Sequence, residues 1–141
     1  MTRWLNGLQP WGVVLLRFVL GVAMLANGWE KVYPAGGFHS HNSFSALSHF
    51  CHYIAGLGLP YWLGYVSAFA EVAGGACMLL GLFVRFFGLL IAGNMLVAIL
   101  LVNRHHGYDG CAYSFALLAI ALMLLLTGPG RLALDRRMGF I

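Results

Sequence analysis

The chain has 141 residues, of which 61% are hydrophobic and only 9% are charged. Soluble domains carry about 25% charged and about 45–50% apolar residues. The composition therefore excludes a soluble globular domain, a nucleic-acid-binding module and a disordered chain. The net charge of +4 comes from eight Lys and Arg against four Asp and Glu, a bias that typically sets topology in a membrane protein. The length allows about four membrane-spanning helices of about 20 residues each.

The first apolar segment spans residues 11–29 and is interrupted by Arg17 and Asn27. A cleaved signal peptide over residues 1–29 is the weaker interpretation. Arg17 would fall inside its apolar stretch, and no small-x-small cleavage site follows. We therefore predict that residues 11–29 form the first membrane-spanning helix.

A long loop, residues 30–60, follows this first span. In its second half Phe44, Leu47, Phe50 or Cys51, and Ile54 recur at helical spacing. The residues that face away from them are Asn42, Ser45, Ser48, His49 and His52. This pattern predicts an amphipathic helix over about residues 42–55. Such a helix lies at the membrane interface or folds back into the bundle.

Three further apolar segments contain few polar residues. They cover residues 61–83, 86–102 and 111–127. The last segment ends at Gly128-Pro129-Gly130, because proline cannot continue a helix and glycine favours a turn. The chain is therefore predicted to be all-α, an integral membrane four-helix bundle with an amphipathic helix in its long loop.

The positive charges predict the orientation of this bundle. With four spans, both chain ends and the hairpin between the second and third spans share one side, which carries Arg3, Arg85, Arg131, Arg136 and Arg137. The other side carries Lys31 and Arg104. Because the more positive side faces the cytoplasm, we predict cytoplasmic termini and an outer loop at residues 30–60. Cys51 and Cys111 then lie on the outer side, where an oxidising compartment would allow a disulfide.

Arg17 and Glu71 are charged residues inside predicted spans. A charge at the bilayer centre costs at least about 2.5–3.5 kcal/mol, so such residues face the bundle interior and usually pair. At about 1.5 Å per residue, Arg17 lies roughly 10 Å from the cytoplasmic end of its span, Glu71 roughly 18 Å and Asn94 roughly 12 Å. We therefore predict one polar layer of Arg17, Glu71 and Asn94, with Ser67 one turn from Glu71.

Two roles remain open for this layer. It is either a buried salt bridge that determines helix packing, or a proton relay at the polar end of a quinone or substrate pocket. For the second role, Glu71 and Arg17 are the candidate catalytic residues, and Asn94, Ser67 and Trp29 are the candidate cofactor-binding residues. Trp29 is included because a tryptophan near a span end either anchors the helix at the interface or stacks on a ring.

All six histidines fall on the predicted outer side. His49 and His52 are three residues apart on the amphipathic helix, and His105 and His106 lie in the loop between the third and fourth spans. Neutral imidazole ligates copper, zinc and haem iron, so these four are the candidate metal ligands. No HExxH, CxxC or CxxCH motif accompanies them. The alternative is that they are surface groups that titrate near neutral pH.

The order and spacing of several short motifs resemble those of the DoxX family of small bacterial membrane proteins. The motifs are Leu-Leu-Arg17-Phe, Ala-Asn-Gly28-Trp-Glu-Lys31, Gly58-Leu-Pro60, Glu71-Val-Ala-Gly74-Gly75, Leu-Leu-Gly81-Leu-Phe-Val-Arg85 and Gly128-Pro-Gly-Arg131-Leu-Ala-Leu-Asp135. The resemblance covers nearly the whole chain. It implies a four-helix bundle in the bacterial inner membrane with both termini inside. Asn27 stands where relatives often have histidine, so no role is carried over at that position.

The resemblance also implies a redox role. Family members include a subunit of a thiosulfate:quinone oxidoreductase and part of a membrane complex that handles oxidative and thiol stress. Our first hypothesis is therefore a membrane-embedded oxidoreductase subunit, quinone- or thiol/sulfur-linked, that exchanges electrons with a partner subunit, because the chain has no flavin, iron–sulfur or covalent-haem motif. The second is a non-catalytic accessory subunit of a larger membrane complex that supplies helices and a histidine ligand to a metal, pigment or haem.

Overall fold

The computed structural model describes residues 2–33, 43–130 except 103–106, and 132–135. Over these residues the fold is entirely helical, with α1 at Thr2–Val32, α2 at Ser43–Gly56, α3 at Trp62–Leu80, α4 at Val84–Val97 and α5 at Gly107–Thr127. A π-helical turn, Ala98–Val102, extends α4.

Within the described residues, four helices are long and apolar enough to cross a membrane. They provide the spans Pro10–Val32, Trp62–Leu80, Val84–Val102 and Gly107–Thr127. The predicted fold class, an all-α membrane bundle of four helices with an added helix in the long loop, is confirmed. Leu20, Met24, Met78, Ile91 and Leu124 are fully buried at the centre of the bundle. Large apolar side chains also cover the outside, Phe69 and Leu126 among them, as expected for a surface that faces lipid.

The helix α1 packs most extensively against α3, and glycines allow the close approach. A Cβ atom added at Gly75 would lie 2.8 Å from the backbone nitrogen of Leu25 and 2.9 Å from the carbonyl oxygen of Gly21. One at Gly28 would lie 3.0 Å from the Cβ of Glu71. In a membrane, where helices associate by close packing, small residues permit such contacts. The two antiparallel helices are therefore locked in a register that places Gly28 opposite Glu71.

The short turn between α3 and α4 is built around Gly81. Gly81 has a φ of 71°, which a residue without Cβ adopts readily at a helix C-terminus. Leu82 donates its N–H to the carbonyl of Cys77 at 2.9 Å, which closes the last turn of α3. Because the turn is this short, α3 and α4 are adjacent and antiparallel.

Candidate functional site

A buried carboxylate connects three helices of the bundle. Glu71 on α3 is only 1% exposed. Its Oε1 atom accepts a hydrogen bond from Lys31 Nζ on α1 at 2.6 Å, as a salt bridge, and another from Asn94 Nδ2 on α4 at 2.7 Å. A buried carboxylate is tolerated when charge pairing and hydrogen bonds replace its hydration. Lys31 and Asn94 supply both.

The hydrogen bonds continue from Asn94 to a second residue of α3. Ser67 Oγ donates to Asn94 Oδ1 at 2.8 Å. We call Lys31, Glu71, Asn94 and Ser67 the polar chain. The predicted contact between Glu71 and Asn94, with Ser67 one turn away, is confirmed, and Lys31 is its additional member.

The two ends of the polar chain differ in their surroundings. Lys31 is 26% exposed at its side chain, and its Nζ lies 4.4 Å from the centroid of the Phe50 ring on α2. This distance is within the range of a cation–π interaction. Glu71 Oε2, by contrast, is buried and has no hydrogen-bond partner among the described residues. A buried oxygen without a donor is unusual, and it leaves Glu71 one free acceptor position.

The far end of the polar chain lies in an apolar pocket. The pocket has a volume of about 280 Å³ and lies between α2, α3 and α4. Its lining is Ile54, Leu59, Leu63, Val66, Ser67, Ala70, Leu89, Leu90, Gly93, Asn94 and Val97. Ser67 and Asn94 are the polar side chains of this set, so the pocket has one polar end and apolar walls. Sites for small organic ligands typically combine these two features.

Arg17 lies elsewhere, and the predicted layer of Arg17 with Glu71 is wrong. Arg17 Nη1 donates to the carbonyl of Pro129 at 2.6 Å, and Nη2 donates to that of Leu132 at 3.0 Å. Gly28, which contacts Glu71, is eleven residues further along α1, a rise of about 16 Å at about 1.5 Å per residue. The Arg17 guanidinium lies beside Gly81, in the turn that follows α3, so Arg17 is level with the end of α3 and not with Glu71.

The C-terminal segment that Arg17 contacts lies against the turn between α3 and α4. Asp135 is buried, and its two carboxylate oxygens accept hydrogen bonds from the backbone N–H groups of Phe83 and Val84 at 2.7 and 2.9 Å. These N–H groups lie at the start of α4, where a carboxylate satisfies unpaired donors and the helix dipole. We call Arg17 together with residues 128–130 and 132–135 the C-terminal clasp. Arg17 therefore has a structural role, because it holds the C-terminal segment through two backbone carbonyls.

A model of the DoxX family matches residues 12–104. The chain belongs to the DoxX family. The matched region contains the whole polar chain of this DoxX protein and ends before the residues that Arg17 contacts. The chain is also 30% identical over 125 residues to "Putative oxidoreductase CatD" of Bacillus subtilis (strain 168), which covers 88% of this chain and 84% of that protein. No solved structure matches the chain significantly.

The other predicted site residues of this DoxX chain lie apart from the pocket. Trp29 is 63% exposed on α1, with its ring 5.7 Å from that of Tyr33, and it is not part of the pocket lining. His49 and His52 are exposed on α2. His105 and His106 lie outside the described residues, and the described part of the chain contains no group of three or more His, Cys, Asp or Glu that could hold a metal ion.

The cysteines of the DoxX chain are free thiols in the structure, so the disulfide allowed between Cys51 and Cys111 is absent from it. Cys51 is fully buried on α2, and burial raises the pKa of its thiol. A Cβ added at Gly64 of α3 would lie 2.6 Å from Cys51 Sγ. Cys51 therefore packs α2 against α3 beside the pocket as a neutral thiol.

Sequence reasoning missed Lys31, which we had assigned to the outer side as a topology signal. The spacing of buried residues in α1 could have indicated Lys31. Leu20, Met24 and Gly28 are buried, and Lys31 continues this face at a spacing of three to four residues. A cation at the end of a buried helical face is a candidate partner for a carboxylate in the neighbouring span.

Proposed function

We propose that this chain is the membrane-embedded subunit of an oxidoreductase system and that its pocket binds a quinone. Membership of the DoxX family and the likeness to CatD support a role associated with a membrane oxidoreductase. The observation that carries the quinone proposal is that the polar lining of an apolar pocket is linked to a buried carboxylate: Ser67 donates to Asn94, and Asn94 donates to Glu71.

The pocket residues have the chemistry that a quinone ring requires. Quinone and hydroquinone interconvert by the transfer of two electrons and two protons, with the electrons exchanged with a partner subunit that is thiol- or sulfur-linked in this proposal. Asn94 would donate a hydrogen bond to a ring oxygen, and the apolar walls would enclose the ring. Glu71 would hold a proton at its free Oε2 atom, and Lys31 would link the carboxylate to the surface. Arg17 has no part in this scheme, because it lies in the C-terminal clasp.

The accessory role remains the second candidate. It is favoured by His49 and His52, which are exposed on α2 and lie one turn apart, an arrangement in which two imidazoles can reach one metal or haem of a neighbouring subunit. In this case the polar chain would hold α1, α3 and α4 together, and the pocket would have no specific ligand.

Gly93→Leu tests the quinone proposal directly. Gly93 lines the pocket, and a Cβ there would meet no heavy atom within 4 Å, so a leucine at this position adds volume at the pocket wall without a backbone clash. We expect wild-type protein, purified in mild detergent and supplied with a short-tailed quinone, to retain the quinone. Gly93→Leu should retain at least about tenfold less, because ring and side chain compete for one volume. Bound quinone is measured by solvent extraction and chromatography.

Gly12→Leu is the matched control, because Gly12 on α1 also has open space around its Cβ and lies away from the pocket. It should retain quinone as the wild type does. Equal quinone in both variants, or none in the wild type, would contradict a quinone site in this pocket. Glu71→Gln separates binding from proton transfer. It should keep the bound quinone and lose quinone-linked turnover of the assembled complex, because an amide neither accepts nor releases the proton.

We further propose that both termini are cytoplasmic and that α2 lies on the periplasmic side of the bacterial inner membrane, on the basis of the arginine distribution. A C-terminal fusion to green fluorescent protein should fluoresce, and the same fusion to alkaline phosphatase should be inactive. Phosphatase inserted after residue 36, in the long loop, should be active. Phosphatase activity at the C-terminus would refute this orientation.

A further inference from the structure

We infer that the pocket prefers a ring that carries a hydroxyl group, a phenol or hydroquinone, over a ring whose oxygens are carbonyls or ethers. This rests on the proposed ligand-binding role of the pocket. It goes further by assigning the chemical form of the ligand from the direction of each hydrogen bond in the polar chain.

Glu71 determines which group donates and which accepts in each hydrogen bond of the polar chain. Lys31 Nζ can only donate, so Glu71 Oε1 accepts from it. The same Oε1 atom faces the Asn94 amide at 2.7 Å. Because Glu71 Oε1 is a carboxylate oxygen that accepts from the Lys31 ammonium, it also accepts from Asn94. Asn94 must therefore turn its NH₂ group, and not its carbonyl oxygen, towards Glu71.

This orientation of the amide determines the next bond. With its NH₂ group on Glu71, Asn94 presents its carbonyl oxygen to Ser67, at 2.8 Å from Ser67 Oγ. An amide oxygen only accepts, so the hydroxyl hydrogen of Ser67 is committed to Asn94. The lone pairs of Ser67 Oγ remain available, and so does the second N–H of Asn94.

A ligand head group therefore meets one acceptor, at Ser67, and one donor, at Asn94. A hydroxyl group satisfies both, because it donates to Ser67 and accepts from Asn94. A carbonyl or ether oxygen can only accept. To bond it, Ser67 would have to rotate its hydrogen away from Asn94, which would break the existing bond and leave the buried amide oxygen without its donor.

The rest of the pocket indicates the shape of this ligand. The wall residues Val66 and Leu89 are 41% and 59% exposed, so the pocket opens sideways between α3 and α4 onto the surface that faces lipid. A volume of about 280 Å³ is at the lower end for small-molecule sites, which is enough for one ring and the start of a tail. The ligand class is thus a lipid-soluble phenol or hydroquinone that enters from the bilayer.

A matched pair of probes tests this inference without any redox reaction. 4-Heptylphenol and its methyl ether, 4-heptylanisole, have the same ring and tail and differ in the O–H donor. We expect full-length protein in mild detergent to bind the phenol about tenfold more tightly, the difference of one hydrogen bond. Binding is followed by calorimetry, and each affinity is corrected for the probe's partition into protein-free micelles.

Variants of Ser67 test whether this residue causes the preference for the phenol over its methyl ether. Ser67→Ala removes this acceptor and should lower the affinity for the phenol more than that for the anisole. Ser67→Thr keeps the hydroxyl and should keep the preference. An equal affinity of wild-type protein for both probes, or a preference for the phenol that is not reduced in Ser67→Ala, would overturn the inference.

Gly93→Leu separates this inference from the quinone proposal. If both probes bind equally and Gly93→Leu blocks both, the pocket is a ligand site without the inferred preference. If wild-type protein binds neither probe, or Gly93→Leu changes neither affinity, the pocket is not the ligand site and both proposals fail. For a hydroquinone, a tenfold preference over the quinone would raise the potential of the bound couple by about 30 mV.

Discussion

Replacing Gly75 by alanine should destabilise the bundle by about 3 kcal/mol, near the upper end of the range of about 1–3 kcal/mol for overpacked cores. The new methyl group would lie 2.8 Å from the nitrogen of Leu25 and 2.9 Å from the carbonyl oxygen of Gly21. Both are backbone atoms of α1, so a rotamer change cannot relieve the contact, and α1 must move away from α3. We expect a lower melting temperature in detergent, measured by circular dichroism. Glu71 should also lose contact with Lys31.

Gly88→Ala is the control for this prediction. Gly88 is also buried in a helix, but a Cβ there would lie 3.5 Å from the carbonyl oxygen of Ala121, an ordinary contact distance. Alanine is favoured over glycine in a helix by about 0.5–1 kcal/mol, so Gly88→Ala should be neutral or slightly stabilising. A similar melting temperature for both variants would mean that α1 and α3 are not packed as closely as described here.

Replacing Arg17 by methionine should release the C-terminal clasp. The variant loses two charge-assisted hydrogen bonds, to the carbonyls of Pro129 and Leu132, each worth about 1.5–3 kcal/mol. The contact with Pro129 is buried, so its carbonyl would be left without a donor. We expect faster hydrogen exchange of the Phe83 and Val84 amides, which Asp135 caps, together with a lower melting temperature.

The matched variant for this test is Arg17→Lys, which keeps the charge. A single ammonium lacks the planar fork of the guanidinium and cannot reach both carbonyls in the same geometry. Its effect should therefore fall between those of the wild type and Arg17→Met. Bound quinone per folded molecule should be the same in all three proteins, because the clasp lies about 16 Å along α1 from the level of Glu71. A selective loss of quinone in Arg17→Met would contradict the structural role.

The two buried charged positions show why a charge within the membrane is not by itself a catalytic residue. Arg17 and Glu71 both satisfied the expectation that such residues face the interior and find partners. Arg17 found backbone carbonyls of its own C-terminal segment. Glu71 found Lys31 and Asn94, and through Asn94 it reaches a pocket. The pocket distinguishes the two, because Glu71 is connected to it through Asn94, whereas Arg17 contacts the C-terminal segment.

Much of the fold was predictable because it depends on local properties of the chain. Apolar segments of about 20 residues specify membrane-spanning helices in any sequence context, and the helical spacing of Leu47 and Ile54 specified one apolar face of α2. The association of Glu71 with Asn94 and Ser67 could also be predicted from the sequence. A short turn makes α3 and α4 neighbours, and polar groups in lipid seek one another.

The sequence by itself therefore determined the class of the protein, its four spans and the presence of buried polar groups, because hydropathy acts residue by residue. Only the tertiary structure decided that Glu71 pairs with Lys31 and that Arg17 holds the C-terminal clasp. The partner of a side chain depends on the register and rotation of two helices. For α1 and α3 these are set by contacts at Gly21, Gly28 and Gly75, where a displacement of one turn, about 5.4 Å, would change every partner.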